Sequence, residues 1–409
     1  MTRFQAMNRC RRLNESRDVR FHDWLGITAA DYWQQCSVSG SFLINGGSEG
    51  QRTMMLVSML EDFCRRCADP VIVLTRSELT MRSLIRARMQ QRLPRLSVTS
   101  SKHQNYHAFY GMEEAYLVHL MLRVARERGY DSLDLLESYI KAFIAAVATR
   151  YTPSLAAMDA LANACSTAYQ LEAFAASAGV PAYRVEAIHN YPAGAQRLRN
   201  LLDILKECFG NIMPDQCNSG HNILTGVAAG KVMCVMTNSQ HPEIMDLAIG
   251  TELRQLIEKG KRFVVILDGI PLYDMDGIYQ QLVDAQNTGG VVRVGVCSPN
   301  ASAWARSIHQ VTDPVQRLLG NTKNFVLLNS GTESVTDTQS ILSLLGSYHG
   351  HEVQSGGGRG ALNPFSSGQW SVVSVGFVDR VRMEDWEGYS LLLSGHDGRN
   401  IHLYRRAEL

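Results

Sequence analysis

Between Ser41 and Leu60 an apolar run, Phe42-Leu43-Ile44, gives way to Asn45-Gly46-Gly47-Ser48-Glu49-Gly50, then to Gln51-Arg52-Thr53 and a Met- and Leu-rich stretch. The order reads as a strand, a tight glycine loop and a helix, the layout that sets loop amides and a helix N-terminus around phosphate groups. Against the pattern G-x-x-x-x-G-K-[ST], Gly46 is the first glycine, Gln51 replaces the second, Arg52 replaces the lysine, and Thr53 supplies the Mg-binding hydroxyl. Gly46, Gly47, Ser48, Gly50, Arg52 and Thr53 are therefore the candidate nucleotide-binding residues. Arg52 keeps the charge, but its planar fork is larger than a compact ammonium, so the exchange is not conservative. If the loop takes positive φ at Gln51, a Cβ there is strained where glycine would not be. The plain alternative is an ordinary Gly-rich turn before a helix.

A chain of 409 residues suits two or three domains, and 45% hydrophobic content is ample for a buried core. Lys and Arg number 40 against 39 acids, a net charge of +1, so contact with a polyanion would have to come from a local patch. Nine Cys with no regular spacing fit reduced thiols. Cys64 and Cys67 form a lone C-x-x-C without a second pair at zinc spacing, which reads as structural. No apolar run reaches the roughly 18 residues needed to span a bilayer, and a soluble, cytoplasmic protein is expected, at the inner face of a membrane only through partners.

Four segments are expected. Residues 1–38 form an Arg-rich arm (Arg3, Arg9, Arg11, Arg12, Arg17, Arg20) with Phe21, Trp24 and Trp33, read as solvated and lying on the domain. Residues 39–104 carry the loop, a helix to about Ala68 and the strand Val71–Leu74, the start of a parallel βαβ arrangement. Residues 105–210 are Ala- and Leu-rich with helical periodicity and read as an inserted all-α domain. Residues 211–409 resume the alternation, with strands around 231–236, 262–268, 291–298 and 323–329 and helices around 242–259, 276–286, 301–319 and 337–348. The run Phe263-Val264-Val265-Ile266-Leu267 ends in Asp268, a buried strand ending in a carboxylate able to hold Mg-bound water. Gly269 follows, where a Glu would polarise the attacking water. Ser355 to Gly360 reads as a flexible loop, His349-Gly350-His351 as a loop His pair, and short strands near 370–377, 389–394 and 401–405 as edge or closing strands.

In the order of these landmarks the chain resembles the conjugative type IV coupling proteins, the TraG/TraD-like branch of the FtsK/HerA P-loop ATPase superfamily. The likeness runs from about Ser41 to Arg405. It rests on G-x-x-x-x-Q-R-T, the helical insertion, Ile266-Leu267-Asp268-Gly269, the strand ending Val296-Cys297-Ser298, and the closing Arg380 to Trp386, Tyr389 to Gly395 and Ile401 to Tyr404. It implies a RecA-like P-loop NTPase domain assembling into hexamers, with ATP and Mg as cofactors held by the loop residues, and by Thr53 and Asp268 for the metal. It also implies protein partners of a secretion or conjugation apparatus and contact with DNA. Arg52 for Lys, Gly269 for Glu, and Ser298 or Pro299 where a sensor Gln belongs are departures on the chemistry, and together they imply weak or absent ATP binding and hydrolysis.

Two functions follow first: a component recruiting substrate and partner proteins with impaired ATPase, or an active ATP-driven DNA translocase with an unconventional site in which Asp268 is catalytic and Asp274 or Asp276 aligns water. A dinucleotide-binding enzyme around Asn45-Gly46-Gly47 is a third reading, though the G-x-G-x-x-G fingerprint is missing there. A fourth takes Gly46 to Gly50 as G-x-S-x-G, with Ser48 as nucleophile and Asp268 and His402 as its partners.

Overall fold

Apolar, β-branched runs alternate with helical periods along this chain, and runs of that kind bury themselves as parallel strands covered by helices. The structure is a computed structural model describing residues 2–14, 19–23, 41–100, 106–209, 221–237, 241–269, 275–289, 292–300, 314–322, 324–328, 347–356, 369–379, 389–394 and 400–405. Its class is α/β with a mainly parallel arrangement of strands, as the alternation indicates. Contacts gather the chain into two compact units, Met1–Met55 with Ser298–Ala303 and Val315–Leu409, and Leu56–Cys297 with Trp304–Pro314.

In the first unit, α1 (Arg3–Leu13) and β1 (Val19–Asp23) come before β2 (Phe42–Gly46) and the first turns of α2 (Glu49–Arg66). β2 pairs in parallel with β8 (Asn324–Leu328), β8 antiparallel with β11 (Tyr389–Ser394), β11 antiparallel with β12 (Asn400–Arg405), and β12 in parallel with β1. The late strands β11 and β12 are thus each paired on both sides, and β1 takes the edge beyond them. A separate antiparallel hairpin joins β9 (Ser347–Gly356) to β10 (Gln369–Asp379), irregular between Ser374 and Gly376.

In the 1–38 segment, residues 2–14 are mostly exposed and form a helix. A Thr2–Gln5 capping box starts α1, and the helix docks on the hairpin through buried Ala6, with the Cys10 thiol and Asn14 Nδ2 donating to His351 O at 2.9 and 3.0 Å. Arg17, Trp24 and Trp33 lie outside the described residues. Two expectations change here. Ser347 and Tyr348, read as the end of a helix, begin β9 instead, and His349 and His351 lie on that strand rather than in a loop. A strand therefore does lead into Gly356, while 357–360 and the expected helix 337–346 fall outside the described residues.

The second unit holds five parallel strands in the order β7-β6-β3-β5-β4: Val292–Ser298, Phe263–Asp268, Val71–Thr75, Val232–Met236 and Leu96–Ser100. β3, β5 and β6 are buried at every residue, as parallel strands covered on both faces must be. α3 (Glu78–Met89), started by Ser77 as N-cap, links β3 to β4 and was not read from the sequence. Among the described residues, 106–209 contains no strand and folds as α4 (Glu114–Glu127), α5 (Leu133–Ala148), α6 (Leu155–Ala164), α7 (Ala168–Ser177), α8 (Ala182–His189) and α9 (Gly194–Phe209). After the short α10 (Ile223–Ala228), α11 (Pro242–Glu258) packs against α4, α9, α10 and α12 (Met275–Gly289). The strand-free segment belongs to the same compact unit as the five-stranded sheet. Among the described residues no helix is long and apolar enough to cross a membrane.

Candidate nucleotide loop and strand-end site

The strand ends at Gly46 and the helix begins at Glu49, so only Gly47 and Ser48 lie between them. Gly46 and Gly47 take φ +82° and +66°, and they alone supply the positive φ of the turn. Gln51 does not. It sits in the first helical turn, so the strain expected at that position is absent.

Gln51 instead completes a capping box. Ser48 N–H donates to its Oε1 at 2.8 Å, and Gln51 N–H donates to Ser48 Oγ at 3.3 Å. Arg52 folds back so that Nη1 donates to Gly46 O at 3.1 Å and to Gly47 O. Gly47 also packs tightly, because a Cβ built there would lie 2.7 Å from Leu328 Cβ. Gly50 follows on the helix, and Thr53 is buried one turn further along it. Gly46, Gly47, Ser48, Gln51 and Arg52 thus close on one another, with the guanidinium turned to main-chain oxygens.

Asp268 belongs to the second unit, at the C-terminal edge of its sheet, where ligands of open α/β sheets are held. It is buried, and Thr75 Oγ1 donates to its Oδ2 at 2.7 Å across the β3–β6 pair. Burial, and after it the charge of Asp268, pushes the neighbouring Cys234 thiol up to about 12. Next to Thr75, Arg76 Nη2 pairs with buried Asp246 of α11 at 2.7 Å, and its Nε donates to Thr237 Oγ1 at 3.4 Å. Thr75, Arg76, Thr237 and Asp246 were not singled out from the sequence. The only signal was a polar triplet, Thr75-Arg76-Ser77, directly after an apolar strand.

Gly269 takes φ +96°, and its N–H donates to Cys297 O at 2.9 Å. Gly269→Glu is therefore expected to destabilise the fold by about 1–2 kcal/mol, by chemical denaturation, through left-handed backbone strain, and to leave any ATP turnover unchanged. Ser298 Oγ is engaged with Asn300, donating to its O at 2.8 Å and accepting from its N–H at 3.1 Å, and Pro299 is exposed.

For the hydrolase reading, Ser48 Oγ is taken up by the helix cap, Asp268 is bonded to Thr75, and the His402 side chain lies outside the described residues. Asp274 is likewise outside them, as is the side chain of Asp276. Cys64 and Cys67 are free thiols at the end of α2. Burial raises the Cys64 thiol, with Arg95 pulling the other way, and the same guanidinium donates to Cys67 O, Ala68 O and Gly230 O at 2.7, 3.0 and 3.1 Å, so it caps the helix end. His351 stands beside α1, and among the described residues no three His, Cys, Asp or Glu side chains gather as a metal site.

A mainly parallel sheet with helices between its strands defines the class as α/β. No family model and no curated protein matches the chain. Among solved structures it is similar to the bacterial conjugative coupling protein TrwBdeltaN70, in its trigonal form in complex with sulphate, at 13% identity over 97% of this chain and 92% of that one, TM-score 0.48. It is also similar to VirB4 of Thermoanaerobacter pseudethanolicus at 12% identity, over 90% of this chain and 89% of that one, TM-score 0.45. Both likenesses are remote, and the α/β class follows from the strands and helices themselves.

Proposed function

We propose that this chain is a coupling-protein-like component of a conjugation or type IV secretion system, with impaired ATPase, that recruits substrate and partner proteins. The observation that carries the impaired ATPase is the closed loop. Phosphate oxygens need a cation and amides turned towards them, whereas Arg52 Nη1 is turned to the Gly46 and Gly47 oxygens and Ser48 and Gln51 cap each other. As they stand, these residues do not fit the phosphates of ATP, and no step is assigned to the nucleotide or to Mg.

A preference for protein partners over DNA is supported by the charge of the helical segment. Residues 106–209 carry nine basic side chains against eleven acidic ones, and several of the basic ones are held in ion pairs: Arg184 with Glu114 at 2.8 Å, Arg197 with Asp131 at 2.5 Å, Lys206 with Asp159 at 2.8 Å. Tight DNA binding of the sequence-independent kind needs clustered, available Lys and Arg.

The test is a thermal-shift titration with Mg-ATP. Wild type is expected to show no ligand-dependent shift. Gln51→Gly with Arg52→Lys opens the cap, at a cost of about 0.5–2 kcal/mol in stability, and restores a ligand-dependent rise, each tenfold of ligand above Kd adding about 1.4 kcal/mol. Motor-like ATP turnover by wild type that Asp268→Ala abolishes would overturn the proposal and favour the active translocase.

A further inference from the structure

One buried carboxyl group of the second unit gathers several hydrogen bonds. Glu252, on α11, is 1% exposed. Its Oε2 accepts from Tyr106 OH, and its Oε1 accepts from Phe109 N–H at 3.2 Å and from Asn222 Nδ2 at 3.4 Å. Tyr106 OH in turn accepts from Ile223 N–H at 3.4 Å.

These partners come from two distant stretches of chain. Tyr106 to Met112 leads into α4, and His221 to Ile223 follows α9, so one carboxyl group ties both ends of the helical segment to one helix. His107 N–H to His221 O at 3.0 Å and Asn222 Nδ2 to Tyr110 O at 2.9 Å bind the two stretches to each other. Phe109 holds φ +69°, an uncommon conformation for a residue with a side chain, and its N–H points at Glu252.

We propose that Glu252 is a proton-operated pin, holding the root of the helical segment closed while it carries a proton and loosening it when the proton is lost. An ionised carboxylate is costly to bury, so the burial of Glu252 favours the neutral acid, while the hydrogen bonds it accepts favour the ionised form.

Burial pushes the Glu252 carboxyl up to about 7, with the hydrogen bonds from Tyr106, Phe109, Ile223 and Asn222 pulling the other way. A folded-state value raised above the ordinary one means the native state binds the extra proton. Its stabilisation is full below the ordinary carboxylate range, declines as pH rises and is gone above about 7.

Among the described residues, the other ionisable groups at this crossing include Tyr106, pushed well up by burial and then by Glu252, Tyr110, whose backbone oxygen meets Asn222, and the rings of His107 and His221, 6.5 Å apart. Further along α11, Arg254 meets His119 and Glu258 meets Tyr116, and Lys259 at its C-cap meets Glu113. On the side of α9, His241 meets Glu207 and Arg128.

Hydrogen exchange of the Phe109 and Ile223 amides in the full chain, corrected for intrinsic chemical rates, tests the pin. Between pH 5 and 7.5 the opening constant is expected to rise about fiftyfold. Glu252→Gln, neutral at every pH, should flatten that rise. Tyr106→Phe keeps the ring but removes a bond that favours the ionised form, so it should move the rise to higher pH, and His107→Gln and His221→Gln should leave it in place. A flat wild-type profile, a rise that survives Glu252→Gln, an unmoved midpoint in Tyr106→Phe, or loss of the rise in either histidine variant would overturn the proposal.

Discussion

Phe209→Ala is expected to cost about 3–5 kcal/mol of stability, a large share of the roughly 5–15 kcal/mol that a folded protein holds in reserve. Phe209 ends α9 fully buried, stacked on Tyr106 at 5.6 Å and edge-to-face with Phe109 at 5.8 Å. Truncation removes the transfer free energy of the ring and leaves a cavity between two aromatic side chains that cannot collapse into it, because Tyr106 is tied to Glu252 and Phe109 by its backbone. Urea denaturation should show a lower midpoint with an unchanged slope. Phe209→Leu, which fills most of the volume, should lose mainly the ring–ring part, about 0.5–1.5 kcal/mol. Equal losses for the two variants would mean that the site relaxes and that these rings do not brace one another.

Gly47→Ala is expected to cost about 2–4 kcal/mol, from a left-handed φ imposed on a residue with Cβ together with an overpacked contact. That Cβ would lie 2.7 Å from Leu328 Cβ and 2.9 Å from Gln51 Oε1. Leu328 cannot retreat, since Gly46 and Leu328 are register partners in the parallel β2–β8 pair. Gln51 can give way only by releasing the Ser48 amide, so the variant should also fray the start of α2, read as faster exchange at Ser48. Gly50→Ala is the control: it lies on the same loop-to-helix stretch, its φ is not positive, and the nearest atom to its added Cβ is Ser48 Oγ at 3.9 Å. It should be neutral or slightly stabilising, by up to about 1 kcal/mol.

What the sequence determined by itself is what local chemistry decides. Val71 to Thr75, Val232 to Met236 and Phe263 to Asp268 are strands because apolar, β-branched runs of that length bury best in a covered parallel sheet. Pro242 opens a helix because its missing N–H costs nothing in the first turn. The glycine loop was legible for the same reason, and so were Asp268 at a strand end and Gly269 after it. The Ser48–Gln51 capping box is also written there, as S-x-x-Q, although none of the sequence readings of this loop uses it.

Only the tertiary structure decided the rest, because it depends on partners far apart in the chain. The stretch Ser347 to Gly356 is polar and carries no alternating pattern, and it becomes a strand by pairing with β10 and receiving α1. β1 is a strand because Ile401 to Arg405 lies beside it. Arg52 offers a cation to any anion in sequence, and the backbone of the turn decides that its nearest acceptors are Gly46 and Gly47 oxygens. Glu252 reads as one more charge on an amphipathic helix. It becomes a fully desolvated carboxyl because the chain at Tyr106 and again at Asn222 folds over it, and desolvation is a property of what surrounds a group, which no local stretch of sequence contains.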